Sequence, residues 1–162
     1  MSRRNIYYWK CDRPQAFHGT KTRGEFSTEN EIQLRESIKR ELGAQIVEMS
    51  PGPGQGNHLT WNAHVDGKAM FIRVENGPEK DEHLAVESVV LNRVREIGVM
   101  TPKVFGCDAT RSGLPFAWQA LEQVAAPDLN HWFKQGVLDV PGVAFEIGQA
   151  VAKWQTISPQ GF

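Results

Sequence analysis

The chain predicts an α+β fold, with five short strands in one mostly antiparallel sheet and a long helix inserted after the third strand and packed across it. Three patterns predict it. Residues 58–65 alternate, with Leu59, Trp61, Ala63 and Val65 on one side, and Asp66-Gly67 then turns the chain into a second apolar stretch over 69–75. Beyond Gly77-Pro78, the apolar residues Leu84, Val90, Leu91, Val94 and Ile97 fall at helical spacing. Two further apolar runs, 103–107 and 116–121, flank the polar turn 108–113 and supply the last two strands.

Residues 1–24 set the bases Arg3, Arg4, Lys10, Arg13, Lys21 and Arg23 against one acid, Asp12, and interleave them with Tyr7, Tyr8, Trp9 and Phe17. Basic and aromatic residues together can follow a phosphate backbone and stack on bases. The alternative is an extended arm that packs its aromatics on the domain and keeps its charges wet. So short a segment, broken by Pro14 and Gly19, cannot fold alone. The arm is therefore the preferred reading, and nucleic acid is not an expected partner.

A helix follows from Ser27 or Thr28, with Ile32, Leu34, Ile38 and Leu42 as its apolar residues. Its acids come early (Glu29, Glu31) and its bases late (Lys39, Arg40), which suits the helix dipole, and Gly43 ends it. Residues 44–49 read as the first strand through Ile46, Val47 and Met49. The loop 50–57, SPGPGQGN, comes next. Two prolines stiffen it, and Gly54 and Gly56 have a geometric reason to approach a ligand, because no Cβ blocks backbone N–H groups from an anion. A plain surface turn is equally open for this stretch.

The long helix is expected over 79–97, with Pro78 suited to its opening, Gly98 closing it and Pro102 forbidding its continuation. After the last strand, residues 122–128 read as a linker, 130–135 as a short helix and 143–157 as a longer one. Phe145, Ile147, Val151 and Trp154 on that helix would need a larger helical body to cover them.

Composition excludes several classes. With 162 residues, 40% hydrophobic and 23% charged, the chain can bury an ordinary core. A net charge of -1 gives no general attraction to nucleic acid. No apolar run approaches the roughly 20 residues of a membrane span, and the N-terminus lacks the apolar stretch of a signal peptide. Cys11 and Cys107 suggest no disulfide framework, so a reducing cytoplasm is the expected location. His18, His58, His64, His83 and His131 show no metal-ligand spacing with either cysteine, and no metal site is expected. No serine or cysteine nucleophile with a paired base is recognisable. His64-Val65-Asp66 stands at the hairpin and reads as turn chemistry.

One charged pair stands out. Glu87 lies three residues after Leu84, four before Leu91 and seven before Val94, so it projects from the helix face that meets the sheet. A buried carboxylate needs a cation, and Arg73, between Ile72 and Val74 near the end of the third strand, is the natural partner. The pair can be purely structural. It can also hold a guanidinium where phosphates arrive.

From about residue 54 onward the order of segments resembles the small lobe and first linker of the aminoglycoside phosphotransferase family, which has a protein-kinase-like fold. The resemblance is carried by residues 55–61 (QGNHLTW), 71–74 (FIRV), the Glu87 helix running into 97–104 (IGVMTPKV), 121–129 (LEQVAAPDL) and 151–157 (VAKWQTI). Their order and spacing are the specific part. Several positions depart from the pattern. Arg73 stands where protein kinases have lysine, although arginine also occurs there in the wider family; Ala126 stands where a hinge glycine is common, and Gln155 where a histidine is common.

The resemblance implies a kinase-like nucleotide-binding lobe over 44–122, preceded by an arm and helix over 1–43. It is followed over 123–162 by the linker and first helices of an incomplete C-terminal lobe. It implies ATP, with Gly54, Gln55, Gly56 and Asn57 over the phosphates, Arg73 contacting them, Glu87 holding Arg73, and adenine near Glu122 and Val124. The chain ends before the position of the family's catalytic and metal-binding aspartates, so no catalytic residue is expected within it and Mg²⁺ only through the missing lobe. The implied phosphate acceptor is a small-molecule hydroxyl compound. A non-catalytic module with the same lobe is the alternative.

Overall fold

The computed structural model describes residues 26–52, 58–75 and 82–158. The basic arm and the residues Gly54, Gln55, Gly56 and Asn57 lie outside the described residues.

The five strands are β1 (Val47–Pro51), β2 (His58–Val65), β3 (Lys68–Glu75), β4 (Val104–Asp108) and β5 (Trp118–Glu122). They form one sheet in the order β1-β2-β3-β5-β4, and every pairing is antiparallel. Asp66 and Gly67, with φ of 48° and 79°, both take the positive φ that a type I′ hairpin turn requires. The Asp66 carboxylate accepts the backbone N–H of Gln45 at 3.1 Å and of Ile46 at 2.8 Å, which sets the entry into β1. The His64-Val65-Asp66 string is therefore turn chemistry.

The first helix, α1 (Thr28–Leu42), is capped by the Ser27 hydroxyl, which accepts from the Asn30 N–H, and ends on left-handed Gly43. Alternation along the strands places Leu59, Trp61, Ala63 and Val65 on the same face as Met70, Ile72, Val74, Trp118 and Ala120, and these pack with Leu34 and Ile38 of α1 into the main core. Phe26 closes one side, its ring centroid 4.9 Å from Trp61 and 5.0 Å from Phe116. Ile32, expected on the apolar face, is exposed, because Leu34, Ile38 and Leu42 share an i, i+4 stripe that a residue two positions earlier cannot join. Ser37 takes the vacant place in that stripe and accepts from the Trp118 indole N–H at 3.2 Å. Arg35 reaches from α1 to the carbonyls of Val47 and Met49, at 3.1 and 3.2 Å, and so occupies acceptors on the outer edge of β1.

The second helix, α2 (His83–Glu96), packs on the opposite face against β4 and β5. It begins later than position 79. Its first turn closes with the Val86 N–H on the Glu82 carbonyl, and no side chain caps it. The periodic apolar signal itself begins only at Leu84; Pro78 lies outside the described residues. Leu84, Ser88 and Val94 are buried, whereas Ile97, at the C-cap, is exposed.

Two helices follow the linker, α3 (Leu129–Lys134) and α4 (Val140–Trp154). Both start earlier than hydrophobic spacing alone indicates, because Asp128 and Asp139 cap them by accepting from the N–H of His131 and Gly142. Phe133, Phe145, Ile147, Val151 and Trp154 are exposed, as expected of helices that lack a covering body among the described residues. The Lys153 ammonium donates to the Gly98 carbonyl at 3.3 Å and ties α4 to the end of α2. No helix among the described residues is long and apolar enough to cross a membrane.

Candidate functional site

Because α1 covers one face and α2 packs on the other at β4 and β5, the β2 and β3 part of that second face is left with polar side chains. Register brings them together: His58 lies opposite Glu75 and Thr60 opposite Arg73, with Asn62 next along β2 on the same face, opposite the apolar Phe71. The loop that joins β1 to β2 leaves from Gly52 and returns at His58, two residues along the strand from the pair that contains Arg73. Gly52 is buried and donates its N–H to the Thr60 carbonyl at 2.8 Å. A Cβ on Gly52 would sit 2.7 Å from the Thr60 hydroxyl, so the base of the loop lies against β2 as only glycine allows without displacement.

Arg73 is the centre of this surface. Its Nη1 donates to Glu87 Oε2 at 2.5 Å and to Gln119 Oε1 at 3.4 Å, and its Nη2 lies 3.0 Å from His58 Nδ1. The pair joining β3 to α2 is the one that helical spacing predicted. Its burial is intermediate, with side-chain exposures of 20% for Arg73 and 39% for Glu87. A pair of this exposure stabilises the fold by less than a fully buried one, since water and salt screen the outer carboxylate. It also keeps the guanidinium reachable by a ligand.

Behind the pair runs a buried relay. Gln119, fully buried on β5, donates from Nε2 to Ser88 Oγ at 2.7 Å and to the Leu84 carbonyl at 3.4 Å, while its Oε1 faces Arg73. Ser88 in turn donates to the Leu84 carbonyl at 2.8 Å. The amide thus fastens α2 to the sheet and presents an acceptor to the cation, leaving none of its own polar atoms unpaired. Cys107, next to Gln119 across the β4–β5 pairing, also bonds Ser88; burial pushes its thiol up, despite that bond, and the thiol is not an activated nucleophile.

A second, tighter ion pair shares the face. Arg111 donates from Nε and Nη2 to both oxygens of Glu75, at 2.8 and 2.5 Å, and the Ala117 N–H adds a third bond to Glu75 at 2.8 Å. Exposures of 15% and 11% mark it as structural.

The two linker residues are placed differently. Glu122 donates its N–H to the Lys103 carbonyl at 2.8 Å and accepts the Lys103 N–H on Oε2 at 3.0 Å, so its side chain fastens the strand ends. Val124 is exposed. Between them Gln123 donates to Asn62 Oδ1 at 3.2 Å, bringing the start of the linker onto the same face of the sheet as Arg73. Among the described residues, no group of three or more histidine, cysteine, aspartate and glutamate side chains could hold a metal ion.

Sequence reasoning found Arg73 and Glu87 and missed His58, Ser88, Gln119 and the Arg111–Glu75 pair. Gln119 had a signal: it is the one polar residue in the apolar run 116–121. Arg111 had none, because its partner is 36 residues away.

No protein-family model matches the chain, and no curated protein matches it. Two solved structures are similar to part of it. One is a protein from Ralstonia eutropha JMP134 assigned as an aminoglycoside phosphotransferase, at 15% identity and a TM-score of 0.48, covering 60% of this chain and 28% of that one. The other is a spectinomycin phosphotransferase in complex with ADP and spectinomycin, at 17% identity and a TM-score of 0.40, covering 60% of this chain and 30% of that one. The chain thus spans less than a third of the length of either.

Proposed function

We propose that this chain is the nucleotide-binding lobe of an ATP-dependent small-molecule phosphotransferase with a protein-kinase-like arrangement. The observation that carries the reading is the Arg73–Glu87 contact, a strand guanidinium gripped by a helix carboxylate on the β2–β3 part of the sheet. A guanidinium is always charged and matches phosphate oxygens in a planar fork. Glu87 fixes where that fork points. Gly54, Gln55, Gly56 and Asn57 supply contacts to the phosphates, and adenine binds near Glu122 and Val124. The acceptor is a small-molecule alcohol. Mg²⁺ and the carboxylate that deprotonates the acceptor come from a further helical lobe, as transfer needs both.

Glu87→Gln separates this role from a structural one. Glutamine keeps an oxygen for Arg73 but removes the charge that fixes it, and the partly exposed pair contributes roughly 0 to 1 kcal/mol to folding. The expected result is an unfolding free energy lowered by no more than that, with ATP affinity of the 162-residue chain weakened about tenfold, as loss of one charge-assisted contact implies. ATP affinity equal to wild type, with stability the only change, would leave Glu87 a structural helix residue. A lobe that binds nucleotide without belonging to an enzyme shares this site and differs in turnover, so phosphate release from ATP in the full-length protein distinguishes the two.

A further inference from the structure

Gln119 is fully buried, and its register partner across the β3–β5 pairing is Arg73. A buried amide must satisfy a donor end and an acceptor end, and here the two are not interchangeable. Ser88 has one hydroxyl hydrogen, which goes to the Leu84 carbonyl at 2.8 Å. Its oxygen is left to accept, so Gln119 Nε2 points toward it at 2.7 Å, with the Leu84 carbonyl at 3.4 Å as the second acceptor. Oε1 therefore lies on the Arg73 side, 3.4 Å from Nη1. A flipped amide would set N–H groups against a guanidinium, which only donates. Both ends of the amide fix the same orientation.

The two acceptors that share Arg73 Nη1 are held differently. Glu87 reaches it from α2 with a side chain that is 39% exposed and open to hydration. Gln119 Oε1 is held by the backbone of β5 and by two residues of α2, out of reach of water. The charged partner supplies the attraction, and the locked one decides direction. We propose that Gln119 is the positioning residue of the Arg73 site: it sets the direction in which the guanidinium meets phosphate oxygens, and Ser88 and Leu84 carry the seating of α2 to it. The helix then acts on the cation twice, directly through Glu87 and across the sheet through Gln119. A shift of α2 misdirects Arg73 even where Glu87 keeps its contact. This assignment rests on the reading of Arg73 as a phosphate contact.

Gln119→Met fills a similar volume with a flexible apolar chain and offers Arg73 no oxygen, while Ser88 retains the Leu84 carbonyl and Cys107. Without ligand, nitrogen-15 NMR of the Arg73 guanidinium, assigned by its loss in Arg73→Met, follows rotation about the Cζ–Nη1 bond. Rotation is expected to be about fivefold faster in Gln119→Met than in wild type, as loss of one hydrogen bond implies. An unchanged rate overturns the positioning role whatever the ligand. With ligand, the ratio of ATP to adenosine affinity of the whole chain is expected to fall about tenfold in Gln119→Met, as misdirection of a charge-assisted contact implies, with adenosine affinity unchanged. A merely structural defect lowers both affinities alike. Ser88→Ala, which unlocks the amide but leaves its oxygen, is expected to lower the ratio by less, and to add nothing when combined with Gln119→Met. Equal ratios in wild type and both single variants overturn the role of Gln119 and leave the phosphate contact standing. Rotation that responds to Gln119→Met in a chain that binds ATP no better than adenosine overturns the phosphate reading, and the role of Gln119 toward phosphate with it.

Discussion

Arg111→Met is expected to lower the stability of the fold by about 3 kcal/mol, read from denaturant unfolding, towards the cost of removing one partner of a buried ion pair. Glu75 gives both oxygens to Arg111, and its exposure is 11%. Without the guanidinium, the carboxylate keeps the Ala117 N–H and its charge is no longer compensated. The pair pins the end of β3 to the turn between β4 and β5, so its loss also loosens the strand segment that carries Arg73. The same substitution at Arg73 should cost less stability, because Glu87 is 39% exposed and can be rehydrated, which leaves the long contact to Gln119 Oε1 as the main loss. If Arg111→Met and Arg73→Met destabilise equally, the division into a structural and a ligand-facing pair is wrong.

Trp118→Ala is expected to cost about 3 to 5 kcal/mol, the range for truncating a large buried aromatic. Trp118 is fully buried at the start of β5, faces α1, and is the largest fully buried side chain in the described core. Its indole N–H also bonds Ser37, although Arg40 offers that hydroxyl a second donor at 3.3 Å. Trp118→Phe keeps much of the packing and should lose only about 1 to 2 kcal/mol, since the Ser37 oxygen retains Arg40. A loss below about 2 kcal/mol for the alanine variant would mean that α1 is not seated on the sheet as described.

Much of this architecture was legible because it follows from local rules. Asp66-Gly67 announces a hairpin because both residues tolerate the positive φ of a type I′ turn, and both adopt it. The i, i+4 stripe of α1 and the alternation of β2 locate the main core. Element starts were less legible where a side-chain cap decides them: Asp128 and Asp139 open α3 and α4 before the apolar period begins. The site divides in the same way. Glu87 could be found because helical spacing turns a carboxylate toward the sheet, where only a cation can satisfy it. His58, Gln119 and Arg111 depend on which strands become neighbours. β3 pairs with β5 rather than β4, and that order alone sets Gln119 opposite Arg73.

The reading stands or falls on whether Arg73 meets phosphate. Dissociation constants for adenosine, AMP, ADP and ATP, measured by calorimetry on wild type and Arg73→Met, test this most directly. The wild type should bind more tightly as phosphates are added, by about tenfold or more between AMP and ATP, as charge-assisted guanidinium contacts imply. Arg73→Met should abolish most of that increase while leaving adenosine binding unchanged. An absence of nucleotide binding in the folded wild type, or the same increase in the variant, would contradict the assignment of this lobe.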